Sequence, residues 1–154
     1  MTLYLFALLI GVIAGLRAMT APAAVAWGAY LGWIPLAGFP LAWMAAPATH
    51  WVFTVLAALE LYSDQLPKTP SRKVPPQFIT RVVVGAFCGA TLMMPSGHWL
   101  RGAVIGAVGA VIGTLGGASV RARLATAFGK DLPAALIEDA VAVVGGLAIV
   151  WLAR

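Results

Sequence analysis

The sequence predicts an all-α fold: a polytopic transmembrane helix bundle forming a single integral membrane domain over residues 1–154. Three observations point there. Hydrophobic residues make up 62% of the chain and charged residues only 10%, where a soluble domain carries about 25% charged residues. The apolar residues come in runs of roughly 18 to 22, the length a helix rising about 1.5 Å per residue needs to cross about 30 Å of hydrocarbon. The charges gather at the ends of these runs, as loop charges of a membrane protein do. About six membrane segments fit, with five plus a re-entrant segment near Thr20 as the alternative.

Leu3 to Leu16 is the first apolar run and stops at Arg17. Thr20-Ala21-Pro22 then reads as a helix start, a capping hydroxyl followed by a proline in the first turn, so Arg17 marks a break. The second run, Ala21 to Leu36, carries Trp27, Tyr30 and Trp33, residues suited to a membrane–water interface. Pro35 to Pro47 is rich in Pro, Gly and Trp and reads as a loop or short interfacial helix. Thr49 to Gln65 is the third run and Phe78 to Met94 the fourth, closed by Pro95-Ser96-Gly97-His98. Trp99 to Val120 is the fifth. The sixth starts at Asp131-Leu132-Pro133, a cap and an early proline, and reaches Leu152.

The stretch from Ala57 to Arg81 concentrates the polar chemistry. Glu60 and Asp64 stand four residues apart, on one face of a helix. Lys68, Arg72, Lys73 and Arg81 follow, among prolines at 67, 70, 75 and 76 that forbid a continuous helix. With the amino terminus outside, the inner turns fall near Arg17, between Asp64 and Phe78, and between Arg121 and Asp131. Arg101 and Arg154 then stay outside and the other basic residues lie inside, as the positive-inside rule asks. The five-crossing alternative moves Met1 to the other side. The start lacks a basic region before its apolar core and reads as a retained helix.

A net charge of +5 raises nucleic acid as a partner. The basic residues, however, sit at the ends of apolar runs and form no aromatic-studded polar surface, so the expected partner is the lipid bilayer. The lone Cys88 excludes a disulfide framework or a cysteine metal pair. No Walker loop, Gly-x-Ser-x-Gly or His-x-x-x-His is present, so no cofactor is expected. His50 and His98 fall at outer ends and read as interface residues. The loop KTPSRK offers cations and hydroxyls to a phosphate, or to an anionic inner leaflet.

In the fifth run Gly102, Gly106, Gly109, Gly113 and Gly116 recur at spacings of four, three, four and three. All five share one helical face, which in lipid serves close backbone approach to a neighbour. An internal repeat is suggested by GVIAGLRAM and GTLGGASVRAR, each followed later by an acid pair. Three crossings per half would invert the halves, as in many transporters.

GLRAMTAPAAVAW, ELYSDQLPKTPSR and LPAALIEDAVAVVGG resemble the bacterial membrane proteins grouped as the domain of unknown function 4126 family, over about Leu9 to Val150. The resemblance implies an integral membrane protein, placing it in the bacterial cytoplasmic membrane, and supplies no activity. By that likeness Arg17, Asp64, Lys68, Pro70, Ser71, Arg72, Glu138 and Asp139 match the family's polar signature positions.

An ionised side chain at a helix centre costs roughly 2.5 to 3.5 kcal/mol on insertion scales, so intramembrane acids face a cavity or a partner charge. The expected site is a polar pocket in the inner half of the bundle formed by Arg17, Glu60, Asp64, Lys68, Arg72, Arg81, Glu138 and Asp139. Its leading function is a transporter or channel for a small polar or ionic solute, and a pore built from so small a chain calls for a homo-oligomer. The alternatives are a membrane enzyme acting on a lipid or isoprenoid phosphate with a divalent cation, and an accessory subunit whose polar signature is a docking surface.

Overall fold

A computed structural model describes residues 1–65 and 73–154. All regular structure in these residues is helical: α1 (Thr2–Leu16), α2 (Thr20–Tyr30), α3 (Pro47–Ser63), α4 (Pro75–Met93), α5 (Trp99–Phe128) and α6 (Asp131–Leu152), with 3-10 turns at Ala42–Ala45 and Met94–Ser96. Proline opens α3 and α4 in their first turns, where its missing N–H has no partner to lose. Gly97 and Gly129 adopt left-handed backbone at the turns on either side of α5, a conformation glycine takes without strain.

The described residues form six helices, but helix length does not confirm six crossings. Among the described residues three helices are long and apolar enough to span a membrane: α4 with its 3-10 extension, α5 and α6. The 15 residues of α1 rise about 22 Å and the 17 of α3 about 25 Å, short of a hydrocarbon layer of about 30 Å. The second run was expected to be helical from Ala21 to Leu36, but α2 has only 11 residues, about 16 Å. Left-handed Gly32 and Pro35 end it early. The chain beyond folds back over its end and buries Ile34, Leu36 and Met44.

Interior packing rests on glycine. A Cβ at Gly102 would fall on the Gly89 carbonyl oxygen and one at Gly106 on that of Gly85, both on α4. One at Gly109 would meet the Leu8 carbonyl and one at Gly113 that of Val12, both on α1. The stripe thus seats two helices against the α5 backbone. Gly116, expected in the same seam, has nothing within 4 Å of its Cβ position. Gly15 already lies against Ala110, Gly113 and Thr114, and α1 ends one residue later, so no backbone remains to face Gly116.

The single glycine of α2, Gly28, meets the Val150 side chain, and the main neighbours of α2 are α3 and α6. Nearly every residue of α2 is buried, which makes it the central, short helix, while α3 lies at the edge and exposes Trp51, Val55, Leu59 and Tyr62.

Candidate functional site

The α1–α2 break is where the charges meet. Arg17 takes an extended backbone (φ −140°, ψ 111°) after its N–H closes the last bond of α1, and its side chain turns inward, fully buried. A helix end leaves its last carbonyls and first N–H groups without partners. Here each end is met by a charge of the complementary sign. Arg81 of α4 donates through Nη1 to the Leu16 carbonyl at 2.7 Å and the Gly15 carbonyl at 3.1 Å. Glu60 of α3 accepts from the Ala18 N–H at 2.8 Å and the Met19 N–H at 2.7 Å, one on each carboxylate oxygen. Arg81 and Glu60 also pair with one another at 3.4 Å. Cation at the carbonyl end and anion at the amide end both suit the helix dipoles.

Two expected caps are corrected by this arrangement. Thr20 is the first helical residue and caps nothing: α2 has no side-chain cap of its own, and the Thr20 hydroxyl, buried, has no hydrogen-bond partner. Glu60 instead holds the amides of Ala18 and Met19, just before the helix. Asp131 likewise is the first residue of α6 rather than its cap. Its carboxylate is held by Arg121, from Nε to Oδ1 at 3.0 Å and from Nη2 to Oδ2 at 2.6 Å.

A second chain of charge runs beside the first. Arg17 pairs through Nη1 with Asp64, just past α3, and through Nη2 with Asp139 of α6 at 2.5 Å. Arg121 of α5 reaches the same Asp64 at 3.8 Å and Glu138 at 3.5 Å. Adjacent Glu138 and Asp139 therefore serve different arginines, as their separation of about 100° around the helix permits. Arg121 and Asp131 are the members that sequence reasoning did not include. Arg121 stands at the end of the glycine-striped helix, where a topological charge is equally expected. Lys68 and Arg72, with Pro70 and Ser71, lie outside the described residues.

Among the described residues no three His, Cys, Asp or Glu side chains gather as a metal cage. Each carboxylate of the cluster faces an arginine, which occupies the oxygens a cation would need. His50 departs from the interface role expected of it: it is buried, with its ring 4.2 Å from those of both Trp27 and Tyr30 and 5.5 Å from that of Trp51. His98 is exposed.

Next to the charged cluster, α2, α3 and α6 enclose an apolar cleft of about 530 Å³. It runs from Thr20 at the charged end to Leu31 and Trp33 at the other, walled by Trp27, Thr54, Ala57, Ala58, Leu61, Val143 and Leu147 among others. The Trp27 Nε1–H donates to Thr54 Oγ1 at 3.0 Å, and that hydroxyl donates to the His50 carbonyl at 2.7 Å. Trp27 is thereby fixed as one wall. A cleft of this volume lies in the range of small-molecule sites.

Residues 4–153 match the family model described as domain of unknown function (DUF4126). The chain belongs to that family. No match was found among curated proteins or among solved structures. The family gives a membrane-like helical protein without an assigned activity, so the function has to be argued from the cluster and the cleft.

Proposed function

We propose that this protein is a membrane transporter for a small polar or ionic solute, with Arg17, Glu60, Asp64, Arg81, Glu138 and Asp139 forming the intramembrane charged site. The observation that carries this reading is Arg17, fully buried at a helix break while pairing with carboxylates from α3 and α6. Charges are costly at such depth and persist where they serve a pathway or a partner. A broken helix whose two ends converge on a polar site is the arrangement that discontinuous helices give transporters. Ion pairs joining α3, α5 and α6 across one end can also act as a closure, since separating those helices opens that end. The metal-dependent enzyme alternative draws no such support, because the carboxylates are committed to arginines. The experiment is flux into proteoliposomes across a panel of small cations, anions and zwitterions, with and without a pH gradient. Flux that falls at least tenfold in Asp139→Asn supports the reading. Absence of flux for the whole panel, with folded protein in the vesicles, overturns it.

A further inference from the structure

We infer that the cleft between α3 and α6, with α2 as its floor, binds an uncharged single-tailed amphiphile drawn from the bilayer: an apolar chain carrying one hydroxyl or carbonyl at its head. The inference does not rest on the transport reading. It names a second site, beside the charged cluster.

Packing leaves a slot open to lipid. Helices α3 and α6 each pack on α2 and scarcely on one another, so a gap persists between them. Of its lining residues Leu31, Ala58, Val143 and Leu147 are exposed, and exposed apolar side chains on helices within a bilayer meet hydrocarbon. Width then restricts the occupant. Dividing the 530 Å³ of the cleft by the ~16 Å that α2 rises from Thr20 to Leu31 gives a mean cross-section of about 33 Å². A helix about 10 Å across needs about 80 Å², so the slot takes a single chain and not the helix of a second copy.

The head of that chain carries no charge. Among the described residues that line the slot none is ionisable. Arg17 and Asp139, Ala24 and Gly146, and Gly28 and Val150 all meet at a separation of 122 residues, so α2 follows α6 in one register from the α1–α2 break onward. Arg17 and Asp139 therefore pair with each other one turn before Thr20, outside the slot. An ionised head in the slot would be buried without a partner, which is far costlier than burying a neutral one.

Thr20 supplies the anchor for a neutral head. Two hydroxyls line the slot. That of Thr54 is engaged by Trp27 and the His50 carbonyl. That of Thr20, a residue 4% exposed, has no hydrogen-bond partner, and leaving it so costs free energy. A hydroxyl both donates and accepts, so a hydroxyl or a carbonyl satisfies it equally. Threonine keeps two χ1 rotamers in a helix, and a step between them turns the oxygen through about 120° to meet a head group at this end.

Three photoreactive probes with the same diazirine-bearing chain test this: dodecan-1-ol, dodecanoate at pH 9, and dodecane. Each is irradiated with the whole protein in nanodiscs, and the adducts are mapped by mass spectrometry. The alcohol is expected to label the walls of the slot at least fivefold more than either other probe, and excess unlabelled dodecan-1-ol is expected to compete it away. Thr20→Val keeps the shape and removes the hydroxyl. It is expected to bring labelling by the alcohol down to that by the hydrocarbon, with an unfolding temperature at or above wild type because a buried unpaired group has gone. Ala58→Trp, at an exposed position of the wall, is expected to abolish labelling of the slot while labelling at exposed Val104 on α5 stays unchanged. Equal, uncompeted labelling by alcohol and hydrocarbon would mean that a phospholipid tail fills the slot, and overturns the inference. Labelling by dodecanoate equal to that by the alcohol overturns it too, as does labelling by the alcohol unchanged in Ala58→Trp. Binding is read without a gradient, so Asp139-dependent flux in a protein whose slot stays unlabelled leaves the transport reading standing while this one falls.

Discussion

Asp139 on α6 lies 2.5 Å from Arg17, whose guanidinium is fully buried at the α1–α2 break and also pairs with Asp64. Removing the guanidinium leaves two carboxylates facing one another away from bulk water. Breaking a buried pair from one side costs about 3–5 kcal/mol. Arg17→Gln is therefore expected to unfold at markedly lower temperature than wild type in detergent. Restoring charge balance with Asp139→Asn in the same chain is expected to recover part of the loss. A double variant no more stable than the single one would mean that the pair contributes little.

Glu60 acts on two backbone amides rather than on a side chain, and its loss has a local signature. Hydrogen bonds to a charged group contribute about 1.5–3 kcal/mol each. With Glu60→Ala, hydrogen exchange at the Ala18 and Met19 amides is expected to accelerate by roughly tenfold or more, while amides in the middle of α5 stay protected. Glu60→Gln, which keeps one oxygen acceptor, is expected to fall between the two. Exchange at Ala18 and Met19 that stays at the wild-type rate in Glu60→Ala would show that these amides are held by something other than this carboxylate.

Charge placement and helix content were legible in the sequence because both are local: apolar runs, prolines at starts, arginines at ends. What the sequence does not carry is which charge meets which. Arg81 and Arg121 both look like loop charges, yet Arg81 holds the carbonyls of α1 and Arg121 joins α5 to both ends of the acid cluster. Their partners lie on other helices, so no spacing announces them. The helical periodicity of the glycine stripe was readable, but its division between α4 and α1, and its end before Gly116, depend on where α1 stops. The short α2 was missed because the alanine-rich run continues in composition past Tyr30, while the turn at Gly32 is decided by its backbone.

That end of the seam separates two chemically identical substitutions. Gly106→Ala puts a methyl group onto the Gly85 carbonyl, and Gly109→Ala onto that of Leu8. Overpacking of this kind costs about 1–3 kcal/mol, more where the obstacle is backbone. Gly116→Ala meets open space and gains up to about 1 kcal/mol of helix propensity. Thermal unfolding is expected to rank Gly116→Ala at or above wild type and the other two below it. A Gly116→Ala variant as unstable as Gly106→Ala would mean that α1 or a partner chain reaches further than its end at Leu16.

His50 carries a buried Nδ1 with no hydrogen-bond partner inside a box of Trp27, Tyr30 and Trp51. Its ring fills space while its nitrogen stays unsatisfied. Replacing a buried polar group by an apolar one of similar shape is close to neutral or stabilising. His50→Phe is expected to keep or raise the unfolding temperature, whereas His50→Ala, which empties the box, is expected to lower it by the equivalent of about 3–5 kcal/mol, as for other aromatic truncations. Loss of stability in His50→Phe equal to that in His50→Ala would show that the imidazole nitrogens do bond in the membrane-embedded protein.

Helix α5 sets the last prediction, because it separates the two charged ends by its full length. Its 30 residues rise about 45 Å, enough to carry Arg123 well beyond a hydrocarbon layer of about 30 Å when His98 is on the far side. Near the start of α5, Arg101 meets the Tyr4 hydroxyl at 3.3 Å, and near the end of α6, Arg154 lies over the Trp151 ring, while the acid cluster gathers at the opposite ends of these helices. Cys88 is buried and provides a silent background for thiol labelling. With His98→Cys and Arg123→Cys in sealed vesicles, a membrane-impermeant maleimide is expected to reach one site directly and the other only after permeabilisation. Labelling of both from the same face would mean that α5 does not cross. The acid cluster would then lie at the membrane surface, where its charges need no partners and the transport reading loses its ground.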